Sequence, residues 1–296
     1  MDLGDGPAGG GRGNEGVRRG ERRIGRILVE AGRLGEKDAG RVLEFAGERG
    51  LLFGEAARQM GLVKSKDVRF ALAEQFSFPH LAEDDDSLSR DVVAAYDPSH
   101  PLSEQLRGMR ARILSLASDG KRKSAVMAIV SSDRGDGRSF VAANLAVTLA
   151  QTGLRTLLID ADLRNPGQHG YFKLSNRKGL STVLSSRAGA EATQSVARFP
   201  NLKVLTAGPR PPNSLELLEN PQFELLLGGA DATFSAVVID TSAGAEGADA
   251  SLIARRAGAA VLVSRSNHTR AGTSSKFLKS LTAERAKLIG VVFNGG

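Results

Sequence analysis

Hydrophobic residues follow two different periodicities along this chain, and the pattern changes near residue 101. From residue 22 to about residue 81, apolar positions recur at the three- and four-residue spacing of amphipathic helices. Beyond residue 101, short apolar runs rich in β-branched residues alternate with helical stretches. Such runs predict strands that are buried on both faces, as in a parallel sheet covered by helices. The predicted fold class is therefore α/β, with a small all-α domain at the N-terminal end.

Six apolar runs in the second part of the chain are predicted strands. They lie at 125–132, 155–162, 202–208, 234–242, 257–266 and 286–294. The segment SFVAANLAVTLAQTG at 139–153 is predicted to be a helix that ends at Gly153. Because helical segments separate the strands, we expect a mostly parallel sheet flanked by helices.

The helical N-terminal part contains an internal repeat. IGRILVEAGRLGEKDAG at 24–40 aligns with FGEAARQMGLVKSKDVR at 53–69 at a constant offset of 29 residues. The offset pairs Gly25 with Gly54, Gly32 with Gly61, and Asp38 with Asp67. Each copy has apolar helical spacing, a glycine where a helix would end, and an acidic residue that could cap the next helix. A domain of two helix-pair units is predicted over 22–82.

Composition marks the segments on either side of this helical domain. Residues 1–21 are rich in glycine and charge, which favours disorder because little there can be buried. A charge run, EDDDS at 83–87, and the turn-forming sequence DPSHP at 97–101 follow the repeat. We therefore expect a linker over 83–100 and a second domain over 101–296.

Composition also excludes several classes of site. The chain has no cysteine and only four scattered histidines, so disulfides, thiolate chemistry and a histidine metal cluster are not expected. No apolar run approaches the ~18 residues of a membrane span and no hydrophobic signal region is recognisable, so a cytoplasmic protein is expected. The net charge of +7 is concentrated at 17–23 and 121–123 without interleaved aromatic residues. Specific binding of nucleic acid is therefore not expected.

A phosphate-binding loop is predicted between the first strand and the helix that follows it. Such loops read Gly, four residues, then Gly-Lys-Ser/Thr. The segment SSDRGDGRSF at 131–140 has Ser132 at the first glycine position and Arg138 in place of the lysine. Gly135 and Gly137 would let successive backbone N–H groups point at phosphate oxygens near the N-terminus of the helix. The strand, the loop and the helix together predict a nucleotide site.

Carboxylates follow two further predicted strands. LLIDADLR places Asp160 and Asp162 after one strand, and VVIDTS places Asp240 after another. In an open α/β sheet these ends face the ligand crevice, so we expect the three carboxylates to converge on one Mg²⁺ site with Ser139 of the loop. A single aspartate after a strand could instead cap the next helix. The combination of three carboxylates with a glycine-rich loop favours the metal site.

The three segments resemble the Walker A, Walker A′ and Walker B segments of bacterial tyrosine autokinases of exopolysaccharide biosynthesis, of the chain length determinant type. The resemblance covers roughly residues 100–296. It extends to SEQLRGMRARI at 103–113, which is similar to the Glu-x-x-Arg-x-x-Arg oligomerisation helix of the family through Glu104, Arg107 and Arg110. Taken alone, Glu104 and Arg107 would be an exposed helical pair worth about 0.5 kcal/mol.

The resemblance implies a P-loop NTPase-like domain that transfers the γ-phosphoryl group of ATP to tyrosine with Mg²⁺. It implies a cytoplasmic homo-oligomer, recruited to the inner membrane by a membrane co-polymerase that controls polysaccharide chain length. The residues that it assigns to nucleotide binding are Asp133, Arg134, Gly135, Asp136, Gly137, Arg138, Ser139, Phe140 and Asn294. Those that it assigns to catalysis are Asp160, Asp162 and Arg138, and those that it assigns to the metal are Ser139, Asp162 and Asp240.

Two departures from the family pattern leave alternatives open. Arginine at position 138 keeps the positive charge and can bind phosphate through two N–H groups, but it is not interchangeable with lysine. The tyrosine-rich tail of the family is not seen at FNGG, so the acceptor would be Tyr96, Tyr171 or another protein. One alternative is a non-catalytic ATP/ADP-gated assembly switch of the deviant Walker class, similar to MinD and ParA. A DNA-partition ATPase is disfavoured, because Asp133 and Arg134 stand where those loops usually carry a further lysine.

The repeat resembles the N-terminal domain of type II secretion ATPases, some of which bind cyclic di-GMP. The residues similar to the Arg-Leu-Gly opening of that motif are Arg23, Ile24, Gly25 and Leu28. FALAEQ at 70–75 is similar to its closing Leu-x-x-x-Leu-x-x-Gln. The second copy opens without arginine and the first closes without glutamine. The repeat is therefore predicted to be either a helical module for protein docking or a sensor of cyclic di-GMP.

Overall fold

The protein divides into two compact units, Met1–Pro79 and His80–Gly296. A computed structural model describes residues 24–76, 78–82, 84–97, 100–117 and 123–295. The disorder expected at 1–21 lies outside the described residues. In the part of the chain that is described, no helix is long and apolar enough to cross a membrane.

The first unit is helical and follows the sequence repeat. Residues 24–30 are helical, and three helices follow: α1 (Glu36–Arg49), α2 (Phe53–Gln59) and α3 (Ser65–Gln75). α1 and α3 begin 29 residues apart, which is the offset of the repeat. Gly32 and Gly61, in the turns that precede α1 and α3, have φ angles of 66° and 68°. A cluster of buried residues that includes Leu28, Val42 and Phe53 forms the core of this unit.

Most of the segment predicted as a linker belongs to the second unit. It contains a short helix, α4 (Val93–Tyr96), and it buries Leu88 and Val92 in the same hydrophobic cluster as Leu81. The described part of the predicted linker, 83–100, therefore contributes buried side chains to the core of the second unit. The charged and turn-forming ends of this segment dominated the sequence pattern, whereas the apolar run VVAAY between them supplies the buried residues.

The second unit is built on a seven-stranded sheet with the strand order β3-β4-β2-β5-β1-β6-β7. The strands are β1 (Ala125–Val130), β2 (Thr156–Asp160), β3 (Thr193–Val196), β4 (Phe199–Leu205), β5 (Ala236–Asp240), β6 (Ala259–Arg265) and β7 (Lys287–Asn294). Neighbouring strands pair in parallel, except that β3 and β4 are antiparallel. The predicted α/β class with a mostly parallel sheet is confirmed. β3 was missed because its sequence, TQSV, is short and polar.

Helices cover both faces of this sheet. They are α5 (Pro101–Ala117), α6 (Arg138–Ala150), α7 (Gln168–Tyr171), α8 (Leu180–Leu184), α9 (Ser214–Glu219), α10 (Pro221–Thr233), α11 (Asp249–Ala257) and α12 (Ala271–Ala283). Side chains of the central strand β1 alternate between two cores: Met127 and Ile129 pack with α5 and α6, whereas Ala128 and Val130 pack with α10 to α12. This alternation places β1, and the loop that leaves its end, at the centre of the unit.

Candidate nucleotide and metal site

The strand register brings the predicted segments together at the carboxyl ends of the central strands. Asp160 at the end of β2 lies directly opposite Asp240 at the end of β5. β5 pairs on its other side with β1, which leads into the predicted phosphate loop and then into α6. Parallel strands present their carboxyl ends at one edge of the sheet, so three separate parts of the sequence meet there.

Arg138 is buried in the first turn of α6, and its guanidinium group contacts the phosphate loop and the segments that follow β2 and β5. Nε donates to the Thr241 carbonyl oxygen at 2.9 Å, and Nη1 donates to Ser131 Oγ at 2.5 Å and to the Asp133 carbonyl oxygen at 3.1 Å. Nη2 lies 3.6 Å from Asp162 Oδ2. A guanidinium carries five N–H donors in a planar arrangement, so it can make these contacts at once, which an ammonium group cannot.

The phosphate loop adopts a conformation that depends on glycine. Gly135 and Gly137 have φ angles of 84° and 95°, in the region that side chains rarely occupy. A Cβ atom at Gly137 would also clash with the side-chain amide of Asn294. That amide donates to the Asp136 carbonyl oxygen at 3.1 Å. The end of β7 therefore packs directly on the loop, and a role of Asn294 in nucleotide binding stays a prediction.

Asp136 lies inside the loop and is completely buried. Its carboxylate accepts hydrogen bonds from the Asp133 N–H at 3.1 Å and from Thr269 Oγ1 at 2.6 Å, and His268 Nδ1 lies 3.2 Å away. The Asp136 side chain thus links the loop to the segment after β6 through hydrogen bonds. Sequence reasoning did not find His268 or Thr269, although polar residues just beyond the end of a parallel strand are a usable signal.

The remaining loop residues assigned to the nucleotide differ in exposure. Arg134 and Gly135 are exposed at the tip of the loop. Ser139 and Phe140 are half-buried in the first turn of α6, and Phe140 packs against the hydrophobic core. The tip therefore presents a cation and exposed backbone to solvent, while the start of α6 is held within the fold.

The Walker A′ carboxylates are held by backbone N–H groups. Asp160 is completely buried, and its oxygens accept from the backbone N–H groups of Asp162 at 3.3 Å, Gly167 at 3.1 Å and Gln168 at 2.9 Å. Asp162 Oδ1 accepts from the Asn165 N–H at 2.8 Å. Asp160 therefore also makes the contacts of a capping residue at the start of α7, the alternative that the sequence had left open.

Gln168 connects the other side of the site and was not found by sequence reasoning. Its Nε2 donates to Asp240 Oδ2 at 2.7 Å and to the Ser139 carbonyl oxygen at 3.0 Å. Asp240 Oδ1 and Gln168 Oε1 are buried without a hydrogen-bond partner among the described residues. Nothing in the segment RNPGQHG marks this glutamine, because its contacts are with residues distant in sequence.

Burial shifts the protonation of all three carboxylates. It raises the pKa of Asp162 to about 6, and it raises the pKa of Asp160 well above its usual range, with a further contribution from the charge of Asp240. The pKa of Asp240 is also raised by burial, although the charge of Arg138 and the hydrogen bond from the Gln168 side chain oppose the shift. The site therefore contains more buried carboxylate than Arg138 can neutralise, which favours a bound cation.

The donor set suits Mg²⁺ that is bound together with phosphate and water. Within the described ranges, no group of three or more acidic, histidine or cysteine side chains is arranged to hold a metal ion unaided. The expectation that Asp160, Asp162 and Asp240 converge on one Mg²⁺ site with Ser139 stays a prediction, and in the structure backbone N–H groups donate to Asp160. Mg²⁺ usually keeps several waters and binds through few protein ligands and substrate phosphates. The unpartnered Asp240 Oδ1 fits as an acceptor for such a water.

The predicted oligomerisation residues lie on α5. Arg107 Nη2 is 2.6 Å from Glu104 Oε1, and Arg110 Nη1 donates to the Thr148 carbonyl oxygen at 3.3 Å. The first contact is the helical ion pair that the sequence had offered as the simpler interpretation. Assembly through these residues stays a prediction.

Both tyrosines are engaged within the fold. The Tyr96 hydroxyl donates to the Leu88 carbonyl oxygen at 2.8 Å, and the Arg90 guanidinium lies 4.5 Å from the centre of the Tyr96 ring. Tyr171 packs against the core, and burial raises the pKa of its hydroxyl to about 12. Both tyrosine side chains are half-buried, and phosphorylation of either one stays a prediction.

In the helical unit, two of the residues that resemble the cyclic di-GMP motif, Phe70 and Gly25, have neighbours that the structure describes. Arg33 lies 4.0 Å from the centre of the Phe70 ring and 3.0 Å from Asp67 Oδ1. Gly25 lines a cavity of about 470 Å³ with residues that include Arg26 and Phe53. Arg23 lies outside the described residues. Binding of cyclic di-GMP remains a prediction.

Comparison with known proteins shows which proteins this chain is similar to. Residues 127–295 match the model of the CobQ/CobB/MinD/ParA nucleotide binding domain. The chain is 38% identical over 208 residues to tyrosine-protein kinase YwqD of Bacillus subtilis, covering 70% of this chain and 87% of the relative.

Two solved structures extend the similarity to three dimensions. The chimerical protein CapA2B2 has a TM-score of 0.65 and 34% identity, covering 75% of this chain and 96% of that one. The kinase domain of Escherichia coli tyrosine kinase ETK has a TM-score of 0.64 and 29% identity, covering 69% of this chain and 79% of that one. With the loop, the paired strand-end aspartates and these relatives, the chain belongs to the family of bacterial tyrosine-protein kinases.

Proposed function

We propose that this chain is an ATP- and Mg²⁺-dependent protein tyrosine kinase that regulates exopolysaccharide polymerisation, chain length and export with a membrane co-polymerase. The observation that supports it best is the convergence of the phosphate loop, Asp160 and Asp240 on adjacent strand ends. Binding of nucleotide alone needs only the loop, whereas transfer of a phosphoryl group also needs carboxylates beside it. The co-polymerase, and recruitment to the inner membrane through it, are proposed from the family resemblance.

Each part of the site has a distinct role in this proposal. The backbone N–H groups at Gly135 and Gly137, together with Arg138, bind the phosphates. Ser139 would bind Mg²⁺ directly, and Asp162 and Asp240 would hold waters on the ion. The bound ion would neutralise charge on the phosphoryl oxygens.

In this proposal, the transferred phosphoryl group lies beside Asp160 and Asp162. Burial raises the pKa of Asp162 to about 6 and that of Asp160 well above its usual range, and a raised pKa suits a carboxylate that accepts the proton of the tyrosine hydroxyl. We assign this step to Asp160, whose backbone hydrogen bonds fix its orientation. The hydrogen bond from Asn294, at the end of β7, to the Asp136 carbonyl oxygen supports a contribution of Asn294 to the nucleotide pocket.

Phosphopeptide mass spectrometry tests transfer directly. The purified chain is incubated with Mg-ATP and a tyrosine-containing copolymer of glutamate and tyrosine, alone and with the cytoplasmic part of the co-polymerase. We expect phosphotyrosine with the wild type and none with Asp240→Asn. Asp86→Asn is the matched control, because the Asp86 side chain is 93% exposed and lies outside the site.

Nucleotide binding, measured beside tyrosine phosphorylation, distinguishes the kinase from the non-catalytic assembly switch. If ADP and ATP bind but no tyrosine is phosphorylated under any of these conditions, the kinase proposal is wrong for this chain. A change of oligomeric state between the ATP- and ADP-bound forms, measured by light scattering, would then support the assembly switch. Failure to bind either nucleotide would contradict both.

A further inference from the structure

Gln168 contacts all three segments of the candidate site. Its side-chain Nε2 donates to Asp240 of Walker B and to the Ser139 carbonyl oxygen of the phosphate loop. Its backbone N–H donates to Asp160 of Walker A′ at 2.9 Å. The side chain is completely buried.

The contact with Asp240 fixes one oxygen of that carboxylate and leaves the other available. Oδ2 accepts from Gln168 at 2.7 Å, while Oδ1 is buried without a partner among the described residues. A buried acceptor without a partner costs about 1–3 kcal/mol, so Oδ1 is suited to a ligand that donates a hydrogen bond. Because Oδ2 is held in place, the direction in which Oδ1 points is also set.

A glutamine is chemically suited to this position. Its amide donates to the carboxylate without adding a positive charge, so it does not compete with a bound cation. An arginine or lysine would neutralise Asp240, and asparagine is shorter by one methylene group. The Oε1 atom of Gln168 is likewise buried without a partner, so the amide offers an acceptor beside the same carboxylate.

We propose that Gln168 is a positioning residue that orients Asp240 towards a water molecule on the bound Mg²⁺. This inference rests on the proposed function, since it requires that the site binds Mg²⁺ with a nucleotide. Residues that orient metal-binding groups in this way typically change metal affinity by about 10- to 100-fold when they are replaced. The expected effect is therefore on the Mg²⁺-dependent part of nucleotide binding.

The test compares binding of a fluorescent ADP analogue in EDTA with binding in Mg²⁺. Gln168→Met keeps the size of the side chain but removes the donor. Gln151→Met is the matched control: Gln151 is also buried, and its Nε2 donates to the Ala94 carbonyl oxygen at 2.8 Å, away from the site. We expect Gln168→Met to bind the analogue in EDTA within about twofold of the wild type and to lose about tenfold or more of the gain from Mg²⁺. Gln151→Met should keep the full gain.

Two outcomes would overturn the inference. Either Gln168→Met keeps the full gain from Mg²⁺, or it weakens binding equally with and without Mg²⁺, as a residue that only stabilises the fold would. Should Gln168→Met fail to fold in a thermal melt, Gln168→Asn decides the matter by the same criterion, because its amide is too short to reach Asp240. A wild type without any gain from Mg²⁺ would instead contradict the proposed function, on which the inference rests.

Discussion

At the residue scale, the pKa of Asp162 links the stability of the site to pH. Burial raises this pKa from 3.8 to about 6. The folded state therefore binds the proton more tightly than the unfolded state, so the contribution of Asp162 to stability is fully present below about pH 4 and is lost as the pH rises through about 6. Asp162→Asn cannot ionise. It should match the wild type near pH 4 and be more stable by about 2–3 kcal/mol above pH 7.

Urea unfolding in EDTA between pH 4 and pH 8 measures this difference. Asp91→Asn is the control, because Asp91 is exposed and lies outside the site. Its unfolding free energy should run parallel to that of the wild type. A difference between Asp162→Asn and the wild type that stays constant from pH 4 to pH 8 would contradict the prediction.

Arg138 is expected to stabilise the loop as well as bind phosphate. Arg138→Lys keeps the charge but cannot bond to Thr241, Ser131 and Asp133 together, so buried acceptors lose their donor. We expect unfolding free energy to fall by about 1–3 kcal/mol in urea. ADP binding should weaken less than in Arg138→Met, which lacks the charge. Arg155→Lys, at an exposed position, serves as the control, and an Arg138→Lys variant as stable as the wild type would refute the structural role.

The sequence was sufficient for the site residues whose chemistry is tied to a fixed local spacing. Gly135, Gly137 and the strand-end aspartates follow from a strand that leads into a loop, and the structure places them together. Gln168 and Thr269 could not be found in this way. Their role depends on contacts with Asp240 and Asp136, more than seventy residues away in the chain. Only the three-dimensional arrangement shows such partners.

At the scale of the elements, the phosphate loop depends on its contact with the end of β7. Gly137→Ala should weaken ADP binding at least tenfold, because the added Cβ atom meets the Asn294 amide. Gly153→Ala is a matched control: its φ is 85°, and nothing lies within 4 Å of the added atom. Gly153→Ala should lose only ~1 kcal/mol of unfolding free energy, which is the cost of placing alanine in a strained backbone conformation.

A second substitution identifies the cause of the Gly137→Ala defect. Asn294→Ala removes the amide that the new Cβ atom would meet, so the double variant Gly137→Ala/Asn294→Ala should recover part of the ADP binding that Gly137→Ala loses. Fluorescence titration of the four proteins gives the comparison. Equal losses in the single and double variants would show that the backbone conformation, and not the contact, is responsible.

Strands and helices could be predicted from the sequence where their burial requires apolar residues. Strands such as β1 and β5 are buried on both faces, so almost every residue is apolar and the run stands out. β3 forms an edge of the sheet through antiparallel pairing and is largely polar, so hydrophobicity did not reveal it. α4 was missed because it is a single turn between charged and turn-forming segments.

At the scale of the whole molecule, residues 80–100 decide where the second unit begins. Leu81, Leu88 and Val92 in this segment are almost completely buried. Burying each such side chain stabilises a fold by about 1.5–3 kcal/mol, so their combined removal approaches the 5–15 kcal/mol that stabilises a typical domain. The boundary at 101 that the sequence suggested should therefore give an unstable protein.

Two truncated chains test this boundary. Residues 80–296 should unfold cooperatively in a thermal melt followed by circular dichroism and should bind ADP with the affinity of the full chain. Residues 101–296 should melt at least 15 °C lower or fail to fold, since about 5 kcal/mol corresponds to a shift of this order in a domain of this size. Equal melting temperatures for the two chains would mean that the segment only covers the core and does not stabilise it. The functional unit would then begin near residue 100, where the resemblance to other kinases begins, and not near residue 80, where the hydrophobic core begins.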